Sequence, residues 1–471
     1  MMNTSLAGRG AAPSFDPGSF GLSGHRNDRR VGIGVSRART GRVSPIASAL
    51  DSVPRPAWLA RRSDPSGPAD HDPVDPSPDG ARAGDRDSAS IETWVVMAGG
   101  GTAGHVNPGL AIADALVERG LDPSAVHWVG SSRGLEATAV PAADYGMTLL
   151  SGRGIERRIS TQNVAAILGI LRASVEAVRL LRSRRPAIVV SLGGYASVPC
   201  SLAAALLGIP LVVAEQNTVP GLANRLASRF ARASAVTFPG TPLRRAVVTG
   251  NPLRSAVTDI DRKRDCAGAR QTLELPVDHT VILVFGGSLG ATRINRAVVA
   301  LAEAWGDRRD VAIRHVIGER DWNDLPAPDV GPDGLVYQRV RYEDRMPLAL
   351  AAADVAVCRA GATTVTELAA VGLPALFVPY PYATGDHQTA NARFLVDEGA
   401  GVLLVDAELT GGTLQAALEP LIGDPTALAA MADAAASLAV PDAAAQVASL
   451  VEEHASRRSC GSPARGDATD D

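Results

Sequence analysis

Four times in this 471-residue chain a short apolar run stops at small, glycine-containing residues and gives way to a helical pattern. The first is Trp94-Val-Val-Met-Ala98 before Gly99-Gly-Gly-Thr-Ala-Gly-His105. The others are residues 187–191 before Leu192-Gly-Gly-Tyr195, residues 280–285 before Gly286-Gly-Ser-Leu-Gly-Ala291, and residues 355–358 before Arg359-Ala-Gly-Ala-Thr-Thr364. A glycine-rich turn feeding a helix lets backbone N–H groups approach a phosphate, and the helix dipole favours its charge. His105 ends the first loop and is the one side chain there that can exchange a proton near neutral pH; the alternative is that it caps the helix. Glu367 falls in the first turns of the helix after the fourth loop. Its carboxylate can accept two hydroxyls of one ligand, or serve only the helix dipole. Gln388 and Asn391 start a later helix with amides that suit sugar hydroxyls, or simply cap and solvate that helix.

Other chemistries find no residues. No Asp-x-Asp follows a strand pattern; Asp70-His-Asp72 and Asp85-Arg-Asp87 fall in a polar N-terminal stretch. Cys200, Cys266, Cys358 and Cys460 include no C-x-x-C pair, so neither a zinc site nor a disulfide framework is expected, and a reducing cytosol fits. We therefore expect no metal and no cofactor. A net charge of -4 gives no whole-chain attraction for nucleic acid or an anionic membrane. The longest apolar window, residues 202–214, is broken by Gly208 and Pro210 and is too short to span a bilayer. Arg29-Arg30 is not followed by the apolar run of a secretion signal.

Strands alternating with helices imply an α/β fold with parallel sheets covered on both faces. Two such series are separated by the charged stretch 259–271, which reads as a linker. The organisation expected is a disordered extension over 1–90, a Rossmann-like domain over 91–258, a linker over 259–279, a second Rossmann-like domain over 280–455 and a disordered tail over 456–471. The extension, rich in Gly, Pro, Ser, Arg and Asp, cannot bury enough apolar surface to offset its ordering entropy. Ligands belong at the carboxyl ends of the strands and in the cleft between domains.

Gly99, Gly101 and Gly104 carry the G-x-G-x-x-G spacing of dinucleotide sites, but the ribose-binding acid expected after the second strand is not found in Trp128-Val-Gly-Ser-Ser-Arg133. Residues 161–185 form a basic amphipathic helix. Val164, Ile167, Leu168, Ile170, Leu171, Val175, Val178 and Leu181 fall largely on one stripe, beside Arg172, Arg179, Arg182, Arg184 and Arg185. That suits either a core helix with a solvated face or a peripheral membrane face.

Taken in order, Gly99-Gly-Gly-Thr-Ala-Gly-His-Val-Asn-Pro108, Glu215-Gln-Asn-Thr-Val-Pro-Gly-Leu-Ala-Asn224, Gly250-Asn-Pro-Leu-Arg254, Phe285-Gly-Gly-Ser-Leu-Gly-Ala291 and Arg359-Ala-Gly-Ala-Thr-Thr-Val-Thr-Glu367, leading to Gly372-Leu-Pro374, closely resemble the MurG family. These are bacterial N-acetylglucosaminyltransferases of cell-wall synthesis, and the resemblance covers residues 94–453. It implies a GT-B fold of two doubly wound Rossmann-like domains with a cleft between them. It also implies UDP-N-acetylglucosamine as donor, lipid I as acceptor, lipid II as product, inversion at the transferred sugar, peripheral attachment to the cytoplasmic face of the cell membrane, and a place in a cell-wall synthesis complex.

The resemblance also assigns residues. Glu367 would grip the ribose, with Ala362, Thr363 and Thr364 facing the diphosphate. Ser288 and Arg254 would add nucleotide contacts. Asn217, Gln388 and Asn391 would meet the sugar, and Thr102, Ala103 and Gly104 would face the cleft beside His105, the leading candidate base, with Glu215 next in line. Here the chain departs from the family twice. Residues 379–386 differ in length, so His387 competes with Gln388 for the sugar; the spacing to Asn391 favours Gln388. Glu343 stands where an apolar residue is usual, which leaves only a backbone contact there. A UDP-N-acetylglucosamine 2-epimerase, another glycolipid synthase of the same fold and a non-catalytic UDP-sugar sensor or scaffold are the competing readings.

Overall fold

The computed structural model describes residues 93–132, 134–150, 161–287, 290–331 and 333–455, with residues 161–168 and 170 described by backbone alone. The expected extension 1–90, the tail 456–471, Ser288, and the side chains of Val164, Ile167, Leu168 and Ile170 lie outside the described residues.

The first sheet contains β1 (Val95–Gly99), β2 (Val126–Ser131), β3 (Gly146–Leu150), β4 (Ile188–Gly193), β5 (Leu211–Glu215), β6 (Ala233–Val236) and β7 (Ala246–Val248), in the order β3-β2-β1-β4-β5-β6-β7. The second contains β8 (Thr280–Phe285), β9 (Val311–Val316), β10 (Val336–Val340), β11 (Val355–Cys358), β12 (Ala375–Phe377) and β13 (Gly401–Leu403), in the order β10-β9-β8-β11-β12-β13. Every pairing is parallel. The central strands are continuous apolar runs because helices cover both faces: Val95, Val96, Met97 and Ala98 are all fully buried. The GT-B expectation is met by two doubly wound sheets.

Strand order reverses between β1 and β4 in the first sheet and between β8 and β11 in the second. At such switch points the loops splay apart and leave a crevice beyond the strand ends. The four glycine-containing loops read from the sequence all sit there.

Two segments depart from the expected organisation. The linker contains the helix Arg262–Thr272, capped by the Asp261 side chain. That helix is docked on the second sheet, with Ala269, Leu273 and Leu275 in its core. Arg270, 5% exposed, donates to Ala352 O and to Asp354. A helix anchored by a buried guanidinium shows little apolar periodicity, which is why it reads as irregular. The final helix, Ala443–His454, was expected with the second domain; instead Val447, Ala448, Leu450 and Val451 join the core of the first. Arg119 and Glu452 pair at 2.7 Å on its outer edge.

In the basic helix Thr161–Arg184, Ala173, Ala177 and Leu181 are fully buried, whereas Leu171 and Val175 are 59% and 51% exposed. One face is core and the other is open.

Candidate active site

Both switch points open on a single cavity of about 630 Å3, a size typical of small-molecule sites. The first domain contributes Thr102, Ala103, Gly104 and His105, together with Gln216 and Asn217. The helix Ala103–Glu118 starts at Thr102 without a side-chain cap. The His105 and Val106 N–H groups donate to Thr102 O at 3.0 and 3.1 Å, so of the first turn the N–H groups of Ala103 and Gly104 are the ones that can serve a ligand. The His105 ring lies over Gly193, where a Cβ would come within 3.1 Å of Nε2, and Thr102 Oγ1 is 3.3 Å from Nδ1. Desolvation holds the imidazole below its usual pKa, against the pull of Glu215 and Glu136. A neutral ring at pH 7 can accept a proton.

Facing these, the helix Ala362–Ala370 starts at Gly361, again without a side-chain cap. Ala362, Thr363, Thr364 and Glu367 line the cavity. Thr363 Oγ1 is buried with no partner among the described residues, a hydroxyl placed for a ligand. Desolvation pushes the Glu367 carboxyl up to about 7. Two ligand hydroxyls would supply the donors that its charged form lacks. His387 and Gln388 both reach the cavity. His387 Nδ1 donates to Thr384 O at 2.9 Å, and Gln388 Oε1 accepts from the Tyr380 N–H at 2.8 Å, leaving the Gln388 NH2 for a ligand.

The remaining residues singled out in the sequence divide. Asn217 lines the cavity while its Nδ2 donates to Glu215 Oε1 at 3.3 Å. Asn391 does not line it: it is fully buried, and the sugar contact expected of it gives way to a bridge between domains. Its Oδ1 accepts from the Thr218 N–H at 3.0 Å and hydroxyl at 2.9 Å, and its Nδ2 donates to Asn217 Oδ1 and Ala360 O. No hydrogen-bonding capacity is left for a sugar. Glu215 is likewise spent: it accepts from Asn217 N–H and NH2, Gly221 N–H and Asn224 NH2, which suits an anchor for the loop and not a base.

Arg254 is exposed at the start of the helix Ser255–Thr258, outside the cavity wall. Glu343 lines the cavity, and its side chain is held by Arg314 Nε at 2.7 Å and by the Arg345 N–H. The sequence missed Val316, Gly318, Tyr342 and Met346, which line the cavity together with Phe285. Val316 and Gly318 were findable by the strand-end rule, since they close β9. Tyr342 and Met346 follow β10 with no motif to mark them.

Uncapped helix ends on both walls, a desolvated carboxylate on one and a neutral imidazole on the other suit a GT-B enzyme acting on a nucleotide sugar. Residues 95–236 match the glycosyltransferase family 28 N-terminal domain and residues 281–447 the corresponding C-terminal domain. The chain is 46% identical over 361 residues, 76% of its length, to a Nocardioides protein called UDP-N-acetylglucosamine--N-acetylmuramyl-(pentapeptide) pyrophosphoryl-undecaprenol N-acetylglucosamine transferase, of which it covers 97%. Its structure matches crystalline Acinetobacter baumannii MurG with a TM-score of 0.62 at 31% identity, covering 77% of this chain and 99% of that one. A putative UDP-N-acetylglucosamine 2-epimerase from Listeria monocytogenes, at 15% identity, TM-score 0.55 and coverage of 77% of this chain and 96% of its own, shares the fold alone. The chain belongs to glycosyltransferase family 28 and, within it, to the MurG family: it is a UDP-sugar-dependent glycosyltransferase.

Proposed function

We propose that this enzyme moves N-acetylglucosamine from UDP-N-acetylglucosamine to lipid I, with inversion, to form lipid II for peptidoglycan synthesis and hence for cell shape and division. The observation that carries the reading is the placement of His105 and the Glu367 helix on opposite walls of one cavity. Glu367 takes the ribose hydroxyls. The N–H groups of the first turn at Ala362, Thr363 and Thr364 stabilise the departing diphosphate, where negative charge grows in the transition state. Ser288 adds a nucleotide contact; Arg254, exposed outside the cavity wall, adds none in this arrangement. Gln388 and Asn217 orient the sugar, Thr102, Ala103 and Gly104 add contacts to the UDP-N-acetylglucosamine donor from the first domain, and His105 takes the proton of the attacking hydroxyl.

Among the described residues no helix is long and apolar enough to cross a membrane. The open face of the helix Thr161–Arg184, with exposed Leu171 and Val175 beside its arginines, supports peripheral attachment at the cytoplasmic side, where partners in a cell-wall synthesis complex would meet it. The test is transfer of radiolabelled N-acetylglucosamine from its UDP donor to a lipid I analogue. Folded, UDP-binding protein that labels no lipid refutes the assignment, and interconversion of the donor sugar without acceptor would mark an epimerase instead.

A further inference from the structure

Glu136 begins the helix Glu136–Ala142 and is only 1% exposed. Carboxylates are buried when something holds them. Glu136 Oε2 accepts from the Gly101 N–H at 2.6 Å, and Oε1 accepts from the Ser131 N–H at 2.8 Å and hydroxyl at 2.9 Å. Gly101 O in turn accepts from the Leu135 N–H at 3.3 Å, so the glycine loop and the start of this helix are tied twice.

Three glycines clear the space. A Cβ on Gly100 would stand 2.2 Å from Glu136 Cδ, one on Gly130 2.5 Å from Cγ, and one on Gly134 2.0 Å from Oε2. These come from the loop after β1, from β2 and from the turn after β2, and they converge on one side chain. In a dinucleotide fold the glycine loop turns its N–H groups to a phosphate, and the acid after the second strand turns to a ribose. Here that acid, a few residues later than the usual place, has turned onto the loop. Of the glycines in the G-x-G-x-x-G spacing only Gly101 meets this acid, through its N–H; the room for it is cleared by Gly100, Gly130 and Gly134.

We infer that Glu136 is a positioning residue for the transfer reaction, its carboxylate tying the Gly101 N–H of the first glycine loop to Ser131 in a nest of donors shared by the two, fixing the segment that ends at His105 and barring a phosphate from the Gly101 N–H. This rests on the proposed function. The charged and titratable groups acting on His105 are Glu215 and Glu136, which favour its charged form, and His387, which opposes it. Removing the Glu136 charge therefore lowers the His105 pKa further, beyond any effect on loop geometry.

The experiment compares full-length wild type with Glu136→Ala and Glu136→Gln, after UDP binding has confirmed folding. UDP affinity should hold, because the nucleotide is bound mainly by the second domain. kcat should fall roughly 10- to 100-fold, as a displacement of about 1 Å costs a catalytic group. Sodium formate should restore part of the Glu136→Ala activity by refilling the nest. In Glu136→Gln, where an NH2 group must face amide donors, the His105 titration followed by NMR should move to lower pH. Wild-type kcat in either folded variant overturns the inference, as does a loss that formate does not relieve together with an unmoved His105 titration. If Glu136→Ala does not fold, the kcat and NMR readouts of Glu136→Gln decide. A wild type inactive on lipid I would refute the proposed function instead, and the NMR titration would still test the nest.

Discussion

Replacing Glu367 by Gln should stabilise the empty enzyme while crippling its grip on UDP. In the folded protein with an open cavity the carboxyl titrates at about 7, against 4.5 for an ordinary glutamate, because the cleft wall withholds water from its charge. Between those values the folded state holds a proton that the unfolded state has released. Stability therefore falls as pH rises from 4.5 to 7 and levels off above. At pH 7.5 the cost is at most about 3 kcal/mol, an upper limit because the cavity is open to solvent. Gln carries no such cost, so Glu367→Gln should melt above wild type at pH 7.5, by at most roughly 6–12 °C, and level with it near pH 4.5.

Ligand reverses the order. Ribose hydroxyls stabilise the ionised carboxylate, so binding of UDP-N-acetylglucosamine, whose diphosphate has no terminal phosphate to titrate in this range, should release about half a proton at pH 7, and wild-type affinity for it should weaken about 25-fold between pH 7.5 and 5.5 by the same linkage. Melting curves from pH 4.5 to 8, and calorimetry in buffers of different ionisation enthalpy, measure both. A Gln variant no more stable than wild type at pH 7.5, or one that keeps the pH dependence of UDP-N-acetylglucosamine binding, would refute the assignment of Glu367 as the desolvated ribose anchor.

His105→Ala should lower kcat by about 10²- to 10⁴-fold, the usual share of a general base, and leave UDP affinity unchanged in a titration. Asn391→Ala removes the acceptor of the Thr218 N–H and hydroxyl, at a cost of about 1–3 kcal/mol in a thermal melt. Hydrogen exchange should report it locally, as faster exchange of the Thr218 amide.

The fold was legible because parallel strands buried on both faces are written as unbroken apolar runs, and because each switch-point loop needs small residues. His105, Glu367 and the loop 362–364 were legible for the same reason: they stand where a strand pattern ends. What failed to show was anything decided by pairing across long stretches of chain. Asn391 looks like a sugar-binding amide until Thr218, 173 residues earlier, takes its oxygen. Glu136 looks like an ordinary helix-start acid until Gly100, Gly130 and Gly134 are seen to share its space. The helix Arg262–Thr272 hides because a buried guanidinium, in place of an apolar stripe, ties it down.

The return of the last helix to the first domain sets a rule for anyone recombining relatives of this enzyme. A chimera cut once, in the stretch that looks like a linker, would seat a foreign helix on the first sheet and leave Val447 and Val451 without the surface they evolved to cover. Two crossover points are needed, one before residue 262 and one before residue 443, so that the second domain travels as an inserted cassette and the first keeps the helix that completes its core.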